Sequence, residues 1–253
     1  MKGVGHGVLG LPLLMIGFAI FVVKQREGQP QAFFRQAQSL ERSGSVVEAL
    51  ALYDRVVKEY PGTPASCQAL WEMASIEYSV IRDTEKTVNL LNNLLESCQG
   101  DEFVGKSILM LADIHEVDLR NLERSNQLRR EYIAMDPESK QFEETLFKIG
   151  DVLFKQGRFV QATTAFEQLL SLDPAEEITA QTRLRMGAIL QLNQDYDRSI
   201  RYFEAVAQES RSPEFRLQAR LGLIESYEFM AQLSRAVEIA QDIQPDEYPT
   251  ELK

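Results

Sequence analysis

Apolar and small residues recur at helical spacing through most of the chain. Three stretches show it most clearly: FFRQAQSLERSGSVVEALALYDRVVKEYPGTP, TLFKIGDVLFKQGRFVQATTAFEQLLSLDP and RLRMGAILQLNQDYDRSIRYFEAVAQES. Each reads as a helix, a short polar turn and a second helix. A small residue stands early in each second helix: Ala49, Thr87, Ser125, Ala162, Ser199 and Ala236, at spacings of 38, 38, 37, 37 and 37. Four residues on lie Tyr53, Leu91, Arg129, Phe166, Phe203 and Ala240. Three further on lie Val56, Leu94, Tyr132, Leu169, Val206 and Ile243. Sixteen residues before each small residue stand Phe33, Trp71, Leu109, Leu146, Arg183 and Arg220. The period predicts an all-α chain of about six stacked helical hairpins over residues 30–245.

The residue types fit that reading. Antiparallel helices approach closely only where a side chain is small, which suits Ala49 and Ala162 against Ala37 and Gly150. Gly44 and Gly157 fall in the turns, where a helix C-terminus favours a residue without a β-carbon. Pro61, Pro137 and Pro174 close second helices, since proline cannot continue one. The third hairpin departs most, with Arg129 in the aromatic position and Ser125 in the small one.

The first 29 residues carry another pattern. Gly7 to Val23 is uncharged, and from Val4 the run reaches twenty residues with His6 the single ionisable group. At 1.5 Å per residue a helix of that length spans ~30 Å, the hydrocarbon thickness of a bilayer. A cleaved signal peptide would carry an A-x-A pattern after the apolar core, and a lipoprotein a cysteine there; neither is present. The segment reads as one uncleaved transmembrane helix over residues 4–23 followed by a short linker, with a cleaved signal segment as the alternative. Orientation rests on opposing signs. Lys24 and Arg26 favour a cytoplasmic C-terminal side, whereas the short Met-Lys start resembles bacterial signal anchors that export the rest of their chain.

Charge narrows the partners. The net charge is −11, and all 38 acids lie after Val23 beside 26 of the 27 bases. A surface this acidic is unsuited to phosphate binding, so nucleic acid is not expected. Two histidines and two cysteines leave little for metal or nucleophile chemistry. His115 lies in HEVDL rather than H-E-x-x-H, and neither a Gly-rich phosphate loop nor G-x-S-x-G is present. No catalytic, cofactor or metal residue is assigned, and no enzyme is expected.

The hairpins resemble tetratricopeptide repeats. The period exceeds the common 34 residues and, with YPGTPASCQALWEMASIEY, is similar to the long repeats of bacterial envelope proteins. The resemblance implies a right-handed superhelical solenoid whose first helices line a concave groove. In that register the groove holds Phe34, Glu72, Ile76, Met110, Ile114, Phe147, Asp151, Phe154, Leu184, Leu221, Glu225 and Phe229. Repeats that clamp acidic chaperone tails carry Lys and Asn at two groove positions, and neither residue stands there here. An apolar groove with acids around it suits an amphipathic helix or extended peptide segment with basic flanks.

The C-terminus and the cysteines add two expectations. Residues 246–253, with Pro245 and Pro249 close together, form a tail rather than a capping helix, which leaves Val237, Ile239 and Ile243 for a partner or a second copy. Cys67 and Cys98 fall at one end of one hairpin, where frayed helix ends could converge closely enough for a disulfide. Two buried thiols are the alternative. With the apolar segment, the pair tips the reading toward a periplasmic domain on a single-pass inner-membrane anchor. The function expected is a non-enzymatic scaffold or adaptor for an envelope protein. A self-assembling structural subunit and a cytoplasm-facing regulatory adaptor are the rivals.

Overall fold

A computed structural model describes residues 29–243. Within them the chain forms twelve α-helices and no strand: α1 (29–42), α2 (Val46–Glu59), α3 (Pro64–Ile76), α4 (Thr84–Ser97), α5 (Glu102–Val117) and α6 (Leu122–Met135). The remainder are α7 (Phe142–Lys155), α8 (Phe159–Leu170), α9 (Glu176–Leu192), α10 (Tyr196–Glu209), α11 (Pro213–Phe229) and α12 (Leu233–Gln241). None is long and apolar enough to cross a membrane. The segment 4–23 and the tail 246–253 lie outside the described residues.

The chain divides into two compact units, Met1–Leu119 and Arg120–Lys253. The division falls in the turn between α5 and α6, inside the third hairpin.

The second helices bury a narrow stripe. In α2 it is Ala49, Tyr53 and Val56; in α4, Thr87, Leu91 and Leu94; in α8, Ala162, Ala165, Phe166 and Leu169. The first helices bury more of their circumference where they pack on more neighbours. Thus α9 touches α7, α8, α10 and α11, whereas α10 touches α9 and α11. The expected register holds at every small position, all six being buried. In the third hairpin Arg129 is buried like the aromatics elsewhere, and its Nη1 donates to Ser125 Oγ at 2.6 Å. The sixth ends early, with Ala240 exposed.

A left-handed backbone residue stands five positions before each small residue. Gly44 and Gly157 fill it in two hairpins, and Arg82, Arg120, Gln194 and Ala231 fill it in the others with φ of 53–68°. The next N–H closes the helix end, as in Ser45 N to Leu40 O, Arg158 N to Leu153 O and Asp195 N to Leu190 O, each 2.9 Å. Asp83, Asn121 and Asp195 then cap the second helix by accepting from the N–H three residues on. In the second hairpin a π-helical turn, Glu77–Ile81, ends the first helix. Its buried Glu77 pairs with Lys86 at 2.5 Å.

Cys67 and Cys98 are joined by a disulfide, with Cα atoms 5.8 Å apart. Leu70, Leu94 and Phe103 pack around it.

Candidate protein-binding faces

In the second unit α9 lies against both α7 and α11. Arg185 Nε on α9 donates to Asp151 Oδ1 on α7 at 2.6 Å, and Lys155 Nζ lies 2.9 Å from Oδ2. Burial alone would raise the Asp151 carboxyl, but hydrogen bonds from Lys155 and Arg185 outweigh it and hold the group below the usual carboxylate range. The Arg185 guanidinium also sits 5.6 Å from the centre of the Phe154 ring, within cation–π range. Gln191 Nε2 on α9 donates to Gly222 O and Ser226 Oγ on α11, at 2.9 and 2.8 Å.

Those links use one side of α11, where Ala219, Gly222, Leu223, Ser226 and Tyr227 are buried. Leu221, Glu225 and Phe229 succeed one another at i, i+4 and i+8, so they form a single row. Leu221 is 52% exposed and Phe229 62%, with Glu225 and Glu228 exposed beside them. Tyr196 stacks on Phe229 with ring centres 5.4 Å apart, which fixes one face of that ring and leaves the side chain largely open. Leu192, at the end of α9, is exposed as well.

The first unit offers a different face. Glu72 is half-buried; its carboxyl is raised by burial first and by repulsion from Glu41 second. Met110 is half-buried, Val80 and Val117 are exposed, and Tyr78 donates to exposed Asp118 at 3.0 Å.

Four residues that the register places in the groove are core instead. Phe34, Ile76, Ile114 and Leu184 are buried. Phe34 packs against Tyr53 with the rings tilted, and Leu184 joins the cluster of Phe203 and Leu223. Phe147 and Phe154 are half-buried against Phe166 and Phe159. Asp151 is buried among its cations rather than offered to a partner. The sequence reading missed Arg185 because its link to Asp151 joins neighbouring hairpins, 34 residues apart. Among the described residues no group of three or more His, Cys, Asp or Glu side chains could hold a metal ion.

Comparison with known families matches residues 31–63 and 143–176 each to a tetratricopeptide repeat. No curated protein sequence matches the chain. Among solved structures it is similar to a tetratricopeptide repeat protein from Parabacteroides merdae, with 15% identity, 87% of this chain and 81% of that chain covered, and a TM-score of 0.62. It is also similar to the type IV pilus biogenesis factor PilW, with 16% identity over 88% and 96% of the two chains and a TM-score of 0.55. YrrB, a tetratricopeptide repeat protein with an unusual peptide-binding site, aligns at 17% identity over 77% and 93%, with a TM-score of 0.56. The chain therefore carries tetratricopeptide repeats, and its all-α fold is the one that proteins built from them share.

Proposed function

We propose that the protein is a binding scaffold whose second unit receives a peptide segment or amphipathic helix on the first-helix face around α11. The observation that carries this is the exposed row Leu221, Glu225 and Phe229, with Glu228 beside it. Large apolar side chains left open on an otherwise well-packed helix mark an interaction surface. The two acids favour a partner with basic flanks. The peptide-binding site for which YrrB is described supports the same use of the fold.

The test is substitution in that row. Leu221→Glu should abolish capture of the partner while leaving the melting curve unchanged, because Leu221 is more than half exposed. Phe147→Glu is a poorer probe, since its ring packs on buried Phe166. Capture that survives Leu221→Glu would move the site elsewhere.

The scaffold is anchored in the inner membrane by residues 4–23, with the repeats in the periplasm. The uncharged run and the Cys67–Cys98 bridge support this, since disulfides persist in oxidising compartments. An impermeant maleimide on intact cells should label both cysteines only after reduction. Labelling only after lysis, without reduction, would instead favour the cytoplasm-facing adaptor.

A second reading, self-association, rests on α12, where Leu233 and Val237 are exposed. A concentration-independent monomer in sedimentation would remove it.

A further inference from the structure

The proposed function uses the first helices. A separate cleft lies on the other side of the second unit, between the second helices α6 and α8. Its apolar half, about 290 Å³, has Leu146, Ile149 and Leu153 of α7 as floor. Its polar half, about 480 Å³, is bounded by α6 and by Arg158 at the start of α8. Arg130 lines both halves and so marks their junction.

Two groups in this cleft lack partners among the described residues. Asn126 is 3% exposed and lines the polar half, and neither its Oδ1 nor its Nδ2 has a hydrogen-bond partner there. Buried amides are nearly always paired, so an orphaned one on a residue in a cavity wall points to a ligand. Arg130 likewise has no ion pair among them, although the neighbouring cations do: Arg158 is held by Glu123 at 2.9 Å and Arg124 by Glu131 at 3.4 Å.

We infer that this cleft binds an extended peptide carrying an internal acidic side chain and, after it, an apolar one. A side-chain amide presents one donor and one acceptor, the complement of a peptide main-chain unit. Arg130 lies four residues after Asn126, so the two share one face of α6 about one turn apart. A strand rises about 3.3 Å per residue, which brings a side chain one or two residues beyond the paired amide to the guanidinium. Guanidinium pairs bidentately with carboxylate. The chain must pass Arg130 to fill the apolar half, so the carboxylate belongs to an internal Asp or Glu rather than to a peptide C-terminus. The apolar residue then rests on Leu146, Ile149 and Leu153.

Fluorescence anisotropy on the full chain tests this with end-blocked nonapeptide pools. One pool carries Glu at position five and Leu, Ile or Phe at position seven. A second has Gln at position five, and a third Ser at position seven. The first pool should bind at least tenfold more tightly than either of the others. Asn126→Leu should weaken it at least tenfold while the melting temperature holds or rises, because the substitution removes an unpaired buried amide. Arg130→Gln, at an exposed position, should reduce the Glu pool to the affinity of the Gln pool. The inference is overturned if the pools bind alike, if Asn126→Leu and Arg130→Gln leave binding unchanged, or if Leu221→Glu abolishes it. Failure of this cleft leaves the α11 row untouched, because the two sites answer to different variants.

Discussion

Gly150 of α7 and Phe166 of α8 meet so closely that a β-carbon built on the glycine would lie 2.4 Å from the ring. The same contact recurs in the next hairpin, where Phe203 is held between Gly187 and Gly222 at 2.7 and 2.6 Å. Phe166 is fully buried and has no room to swing aside. Gly150→Ala should therefore destabilise the second unit by about 1–3 kcal/mol, the usual cost of overpacking. The double substitution with Phe166→Leu should recover part of that loss in a denaturant titration. Equal additivity of the two changes would show that the contact does not limit packing.

The left-handed turn position gives predictions of opposite sign. Gln194 and Ala231 hold φ of 61° and 56°, a conformation that costs a side-chain-bearing residue ~1–2 kcal/mol and glycine almost nothing. Ala231→Gly and Gln194→Gly should each stabilise the fold by roughly 0.5–1 kcal/mol after the extra entropy of glycine in the unfolded chain is allowed for. Gly157→Ala should do the reverse. Urea midpoints of the three variants check the pattern.

The Cys67–Cys98 bridge closes a loop of 31 residues. In the chain-entropy view a loop of this size stabilises by about 3–4 kcal/mol. Reduction, or the pair Cys67→Ala and Cys98→Ala, should lower the unfolding free energy of the first unit by that order. Thermal unfolding with and without reductant reads the difference. An unchanged transition would contradict a structural role for the bridge.

Two carboxyls should drive stability in opposite directions with pH. Asp151 is held below its ordinary value in the folded state, so its contribution is present above about pH 4, the unfolded value, and fades as pH falls. Asp151→Asn should cost roughly 1 kcal/mol at pH 7, since partly exposed cations screen the pair, and nothing at low pH. Glu72 is raised by burial and by Glu41, so the fold favours its protonated form and loses stability as pH rises past the ordinary Glu range. Glu72→Gln should therefore stabilise the protein at pH 7 and have no effect near pH 3. Denaturant midpoints across pH 3 to 7 distinguish the two.

The repeat was legible because close helix packing leaves a mark that survives in one sequence. Ala49, Thr87, Ser125, Ala162, Ser199 and Ala236 are all buried where their spacing places them. The groove was less legible. Helical periodicity at Phe34, Ile76, Ile114 and Leu184 identifies an apolar face, but a first helix packs on several neighbours and buries much of that face. The turn at Arg82, Arg120, Gln194 and Ala231 was hidden because glycine is the residue that announces a left-handed backbone, and here it is absent. Asn126 was hidden too, since nothing local marks a buried amide as unpaired.

The central claim is that the row on α11 touches a protein partner. A photo-crosslinking amino acid at Phe229, compared with one at Val47, tests it most directly. Val47 is 78% exposed on α2 of the other unit and serves as the surface control. In living cells the Phe229 position should give a discrete adduct identifiable by mass spectrometry, lost on Leu221→Glu, while the Val47 position gives none. Adducts of equal yield at both positions, or none at Phe229, would contradict the claim.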